Sequence, residues 1–169
     1  MHYIIKKFEE LTNTELYKIL QLRQDIFIIE QACIFPDIDD KDEGAFHLMA
    51  LDDGKIIGCI RILGKGISFE EVSIGRVALS ASKRGRGIAK EMMNHAMSFI
   101  ETELGEKRIR ISSQSYVIPF YAGLGFKVVS DEYLEDDIPH VEMLCNLYGG
   151  GCMENGQTQD LPLQKYICL

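Results

Sequence analysis

Residues 72–100 read VSIGRVALSASKRGRGIAKEMMNHAMSFI, and this stretch decides the fold. Val72 to Leu79 is nearly continuous in apolar character, as in a strand buried on both faces, with Arg76 as the interruption. Ile88, Ala89, Met92, Met93, Ala96, Phe99 and Ile100 recur on one helical face, while Lys90, Glu91, Asn94, Ser98 and Glu101 take the other. Between strand and helix lies Ser80-Ala81-Ser82-Lys83-Arg84-Gly85-Arg86-Gly87. A helix start leaves amide N–H groups unpaired and carries partial positive charge. Glycines at 85 and 87 let a bound group approach the backbone without meeting a Cβ. Lys83, Arg84 and Arg86 add positive charge, so the loop suits a pyrophosphate. It is not a P-loop, because Gly87 is followed by Ile88-Ala89. It also lacks the third glycine and the later carboxylate of the dinucleotide fingerprint. Taken alone, it equally fits a basic glycine-rich turn with no ligand.

Working outward, Arg108 to Ser112 reads as the next strand, and Gly105 stops the helix before it. A strand–loop–helix–strand unit of this kind implies parallel strands and a right-handed crossover. Upstream, Tyr3 to Phe8 alternates as a first strand. Thr12-Asn13-Thr14-Glu15 fits a capping box. The apolar positions that follow, Leu16, Ile19, Leu20, Ile26 and Phe27, predict a helix with one wide gap in its spacing, ending near Cys33 ahead of Pro36. Asp37 to Glu43 is an acidic loop, either a solvated turn or a negative wall for an amine. Phe46 to Leu51 and Lys55 to Leu63 form a hairpin around Asp52-Asp53-Gly54. Downstream, Val117 to Ala122 is a short helix with Pro119 in its first turn. Phe126 to Ser130 and Val141 to Leu147 are expected to pair around the acidic turn at Glu135-Asp136-Asp137-Ile138-Pro139. Composition then shifts at Gly149-Gly150-Gly151, a flexible hinge. The expected organisation is one domain over residues 1–148 and a tail over 149–169.

The chain has 169 residues, 46% hydrophobic and 26% charged, which fits one globular domain. The formal net charge of −8 disfavours nucleic acid as a partner. There is no signal-peptide pattern and no bilayer-length apolar run, so a cytoplasmic protein without a membrane partner is expected. The five cysteines are odd in number and form no CxxC pair, and the four histidines are scattered, so neither a disulfide framework nor a metal is expected.

The loop Arg84-Gly85-Arg86-Gly87-Ile88-Ala89 resembles the [QR]-x-x-G-x-[GA] motif of the GNAT superfamily of N-acetyltransferases, in sequence and in its strand–helix context. Phe120-Tyr121-Ala122-Gly123-Leu124-Gly125-Phe126 resembles a second family segment, FYxxxGF. The resemblance covers residues 3 to 147. Local segments, among them Ile74-Gly75-Arg76-Val77 and Ile138-Pro139-His140, are closer to the ElaA-like branch. What the resemblance implies is an α/β (α+β) fold, a GNAT acyl-CoA N-acyltransferase with a mixed central sheet and flanking helices. It implies acetyl transfer from acetyl-CoA to a primary amine in a ternary complex, with a homodimer as the family's usual assembly.

On that resemblance the pyrophosphate sits on the amides of Arg84, Gly85, Arg86, Gly87, Ile88 and Ala89. The pantetheine runs beside Val77, Ala78 and Leu79 like an added strand. Tyr121 matches the position that protonates the leaving thiolate, and it also fits as a core aromatic beside Phe120. Glu30, ending the first long helix, is the candidate general base, or an ordinary helix-end carboxylate. Arg76 is expected to pair with a carboxylate. His140 either lines the acceptor site or is a turn histidine. Cys33 and Cys59 remain in principle open to acylation. The acidic segments favour a cationic small-molecule or peptide amine as acceptor. Two rival readings stay open: an acyl-CoA-binding sensor without catalysis, and a partner-binding module whose working part is the tail.

Overall fold

The computed structural model describes residues 1–147; the hinge at 149–151 and the tail that follows lie outside the described residues. In chain order the elements are β1 (His2–Lys7), α1 (Asn13–Arg23), β2 (Phe46–Asp52), β3 (Lys55–Leu63), β4 (Val72–Leu79), α2 (Ile88–Thr102), β5 (Arg108–Gln114), α3 (Ile118–Ala122), β6 (Lys127–Val128), β7 (Tyr133–Glu135) and β8 (Ile138–Asn146). The strands form one sheet in the order β1-β2-β3-β4-β5-β8-β6, with β7 also paired to β8. Helices cover both faces, as the mixed α/β expectation required.

The helix α2 owes its position to its apolar stripe. Met92, Met93, Ala96 and Ile100 are fully buried, packed with Leu48, Ile60, Ile109 and Met143 of the sheet. Gly58 of β3 allows the close approach: a Cβ there would lie 2.7 Å from Met92 Sδ and 3.1 Å from the Ala78 carbonyl oxygen. On the opposite face Ile19, Ile26 and Phe27 pack on Met49, Cys59 and Ala78.

The capping box is formed: Thr12 Oγ1 accepts from the Glu15 amide at 3.2 Å, and Glu15 accepts from the Thr12 amide at 2.8 Å. Beyond Arg23 the helix widens into π-type turns over Gln24–Glu30 and ends by Gln31, short of Cys33. The wide gap between Leu20 and Ile26 is filled by Arg23, a buried charged residue on the same face as Ile19 and Ile26. Ala32, at φ 52°, then turns the chain away.

Two expectations need correction. The sequence pattern ran from Phe126 straight to Val141, whereas the structure has a further strand, β7, and starts β8 at Ile138. A proline such as Pro139 is disfavoured inside a sheet, where it cannot donate to the ladder. Pro139 falls beyond the end of β5, however, where β7 alone pairs with it. Asp136 and Asp137, both at positive φ (50° and 62°), make the tight turn between β7 and β8. No helix among the described residues is long and apolar enough to cross a membrane.

Candidate active site

β4 and β5 are parallel, as the crossover predicted, but they pair only at Val72–Ile109 and Ser73–Arg110. Past that point they part. The edge of β4 that faces β5 therefore has no strand partner from Ile74 onward among the described residues. The parting opens a cleft of about 540 Å³, lined by Ser73 to Arg76 of β4, Ser112 to Gln114 of β5, Tyr121 of α3, and Tyr133, Glu135 and His140 of β7 and β8.

Arg76 reaches this cleft through a bulge. Cys59 pairs with Ala78 and Arg61 with Gly75, so β4 carries one residue more than β3 across that interval. Arg76 takes φ 51°, a left-handed conformation unfavourable for a side chain that is not glycine. Its guanidinium donates to the Asp37 carbonyl at 3.1 Å and lies 2.7 Å from Asp37 Oδ1. The Nε–H does not aim at that oxygen, so this last contact is a charge pair and not a hydrogen bond.

The acidic loop between α1 and β2 is largely neutralised from within. Buried Arg23 binds Asp37 at 2.9 Å and Asp42 at 2.7 Å. Arg61 grips both oxygens of Asp39 at 2.6 and 2.9 Å. Burial alone would raise the Asp39 pKa, yet the Arg61 hydrogen bonds hold it at about 2. Three carboxylates thus face three arginines. The loop is neither a solvated turn nor an open negative wall. It is an ionic scaffold that ties α1 to β3 and β4. The remaining acidic groups of the cleft, Glu135, Asp136 and Glu142, come from the β7–β8 hairpin.

Beyond β4 lies the glycine loop. Gly85 and Gly87 have φ 69° and 77°, and a Cβ at either would meet nothing within 4 Å. The loop therefore combines left-handed glycines with open space in front of the first turn of α2. Side chains of Val77, Ala78, Leu79, Ile88 and Ala89 are buried, so only their backbone groups face a ligand. The three basic residues have different fates. Arg84 donates to the Leu79 carbonyl at 3.0 Å and clasps Glu30 with both terminal nitrogens, at 2.5 and 3.0 Å. Lys83 pairs with Asp52 at 2.5 Å. Arg86 is exposed, with no ion pair among the described residues.

Of the predicted catalytic residues, Tyr121 lines the cleft and Glu30 does not. Glu30 is instead drawn to the glycine loop by Arg84. Tyr121 is 3% exposed, its ring packed edge-on to Phe120 and Phe126. Its hydroxyl makes no hydrogen bond among the described residues, and burial pushes its pKa up, so the phenol is held protonated. Both cysteines are turned away from thiolate chemistry. Burial raises Cys59 to about 12. Cys33 is raised by burial and by the carboxylates of Asp136 and Asp137. Among the described residues no cluster of His, Cys, Asp or Glu could hold a metal ion.

Sequence reasoning missed Gln114 and Tyr133 as cleft residues, whereas the acidic turn at Glu135 and Asp136, read as favouring a cationic acceptor, does line the cleft. For Gln114 a signal existed: Arg108, Arg110, Ser112 and Gln114 alternate with buried Ile109, Ile111 and Ser113. For Tyr133 none did, because a three-residue strand has no measurable period.

Known proteins align with this arrangement. The family model of the acetyltransferase (GNAT) domain matches residues 27–147. A UPF0039 protein of Schizosaccharomyces pombe is 37% identical over 149 residues, covering 87% of this chain and 98% of its own. Among solved structures, an acyl-CoA N-acyltransferase from Pseudomonas aeruginosa superposes with a TM-score of 0.81 at 35% identity, over 85% of this chain and 98% of that one. ElaA of Escherichia coli superposes with a TM-score of 0.80 at 30% identity, over 86% and 100%.

Proposed function

The chain belongs to the GNAT acetyltransferase family and is an acyl-CoA-dependent acyltransferase; from this premise we propose that it transfers acetyl from acetyl-CoA directly to a primary amine, both substrates being bound together. One observation carries the reading. The glycine loop, the unpaired edge of β4 and the cleft holding Tyr121 follow one another along a single strand and the loop it runs into. That order matches the order of pyrophosphate, pantetheine and thioester in the substrate.

The residues present fit the co-substrate. Amides of residues 84 to 89 receive the pyrophosphate at the N-terminus of α2, with exposed Arg86 as a further cation and Arg84 bracing the loop through Glu30. Backbone groups of Val77 to Leu79 hold the pantetheine, and an amide of that edge polarises the thioester carbonyl. Tyr121 keeps its proton until the thiolate leaves and then donates it.

Calorimetric titration with acetyl-CoA, beside free CoA and the Gly87→Glu variant, tests the binding half. Thiol release with a panel of primary amines tests the transfer half. Binding that the variant abolishes, followed by amine-dependent thiol release, is the expected result. A folded wild-type protein that binds neither thioester nor CoA would refute the proposal. Binding without transfer to any amine would favour the non-catalytic sensor.

A further inference from the structure

Gln114 and His140 stand opposite each other at the last paired position of β5 and β8. Opposed residues of antiparallel strands point to the same face with Cβ atoms about 4.5–5.5 Å apart. That face lines the cleft that also holds Tyr121. On the other side of His140, Tyr133 of β7 is its paired neighbour, and the two rings stack at 6.1 Å.

Both side chains present an acceptor with no donor among the described residues. Gln114 Oε1 is buried and has no hydrogen-bond partner among the described residues. His140 Nδ1 lies 2.8 Å from the Ile138 carbonyl oxygen. A carbonyl can only accept, so Nδ1 carries the hydrogen, and the lone pair of the neutral form falls on Nε2. The surrounding charges suit a cation at this point. Glu135 of β7 and Asp136 of the turn line the same wall. Tyr133 hydroxyl and Glu135 are joined through Ser112 Oγ, at 2.6 and 3.0 Å. Glu142 of β8 is taken by Arg110 at 2.7 Å. Across the cleft Arg61 and Arg76 are matched by Asp37, Asp39 and Asp42, Lys41 is bound to Ser68 at 3.0 Å, and Cys33 is held as a thiol.

We propose that Gln114 and His140 form the receiving site for the acceptor's ammonium group, Gln114 Oε1 accepting one N–H while His140 Nε2 removes another proton as the general base. This rests on the acyl-transfer reading above and names the group that reading leaves open. The steps balance. His140 takes one proton from R–NH3⁺, leaving R–NH2 and an imidazolium. The amine lone pair forms the N–C bond at the thioester carbonyl. The C–S bond then breaks with its electron pair going to sulfur, and the sulfur takes the Tyr121 proton. The amide nitrogen's surplus proton restores the phenol, and the imidazolium releases its proton to solvent.

Histidine-selective ¹⁵N NMR of the full chain, with the resonance identified by His140→Asn, reads the site directly. The expected result is an Nδ1–H tautomer whose Nε2 resonance shifts on titration with propylamine or putrescine. His140→Asn keeps an amide donor for the Ile138 carbonyl and should leave acetyl-CoA affinity within about twofold. It should lower kcat/KM for the amine by roughly 100-fold or more and remove the acidic limb of the pH–rate profile. Gln114→Leu should raise KM for the amine and change kcat little. An Nε2–H tautomer, or a His140→Asn enzyme with the wild-type acidic limb, overturns the assignment. Wild-type protein that fails to bind acetyl-CoA sinks the acyl-transfer reading instead; the tautomer and the amine-induced shift still decide this site.

Discussion

Replacing Gly87 by alanine separates a backbone effect from a ligand effect, because the structure supplies a matched control. Gly87 and Gly54 share nearly the same left-handed φ, 77° and 74°, and at both a Cβ would meet nothing within 4 Å. Gly54 lies in the β2–β3 hairpin turn, whereas Gly87 opens α2 at the proposed pyrophosphate site. An L-residue in this conformation costs about 1–2 kcal/mol. Reduced freedom of the unfolded chain offsets roughly 0.4–1 kcal/mol of that. Each variant should therefore lose about 1 kcal/mol of stability, a fall in Tm of roughly 2–4 °C for a chain of this size. Affinity for acetyl-CoA should part them. A methyl group at 87 stands between phosphate and amides, and losing one charge-assisted hydrogen bond costs about 1.5–3 kcal/mol, or roughly 10- to 150-fold in Kd. Thermal unfolding by circular dichroism gives the first quantity and calorimetry the second. If Gly87→Ala and Gly54→Ala bind acetyl-CoA equally well while both are folded, the cofactor does not lie on this loop.

Tyr121→Phe removes a hydroxyl that has no hydrogen-bond partner among the described residues, so its stability should change little, while turnover with a primary amine falls by roughly 100-fold and acetyl-CoA affinity holds; unchanged turnover with chemistry rate-limiting would count against the acid role. Arg23→Met strips a 1%-exposed guanidinium from Asp37 and Asp42 and should cost about 3–5 kcal/mol in urea unfolding. A loss under about 1 kcal/mol would mean that Arg61 and Arg76 suffice to hold the acidic loop. Asp39 has a folded pKa of about 2 against an ordinary 3.8. Its folded pKa is depressed, so its contribution is fully present above 3.8 and lost as pH falls toward 2. Urea midpoints measured from pH 5 to 2 should fall through that window, and less steeply in Asp39→Asn. Gly58→Ala places a methyl against Met92 and the Ala78 carbonyl and should destabilise by about 1–3 kcal/mol; an unchanged Tm would show that α2 can shift outward freely.

Much of this protein was legible in local pattern. The seven apolar positions of α2, the Thr12 capping box, the β2–β3 turn and the glycine loop each depend on residues close in sequence, and each was found in place. The gap in spacing between Leu20 and Ile26 is filled by buried Arg23, whose carboxylate partners lie on another segment, and the π-type turns after it left no mark in the pattern. β7 escaped altogether. Three residues cannot display alternation, and a strand that short exists only because β8 is there to pair with it.

The division between what sequence and tertiary structure decide follows from range. A helix stripe, a cap or a left-handed glycine records forces between residues a few positions apart, and so the sequence alone determined the family, the fold class and the loop expected to cradle a pyrophosphate. Partner choice among charges does not follow from spacing. Asp37, Asp39 and Asp42 look like solvated acids until Arg23, Arg61 and Arg76 arrive from three different elements to neutralise them. Glu30 looks like a free base until Arg84, more than fifty residues on, draws it to the loop. Gln114 and His140 become neighbours only when β5 and β8 align, because Coulomb attraction and hydrogen bonding act through space, and only the closed sheet brings these groups within their reach.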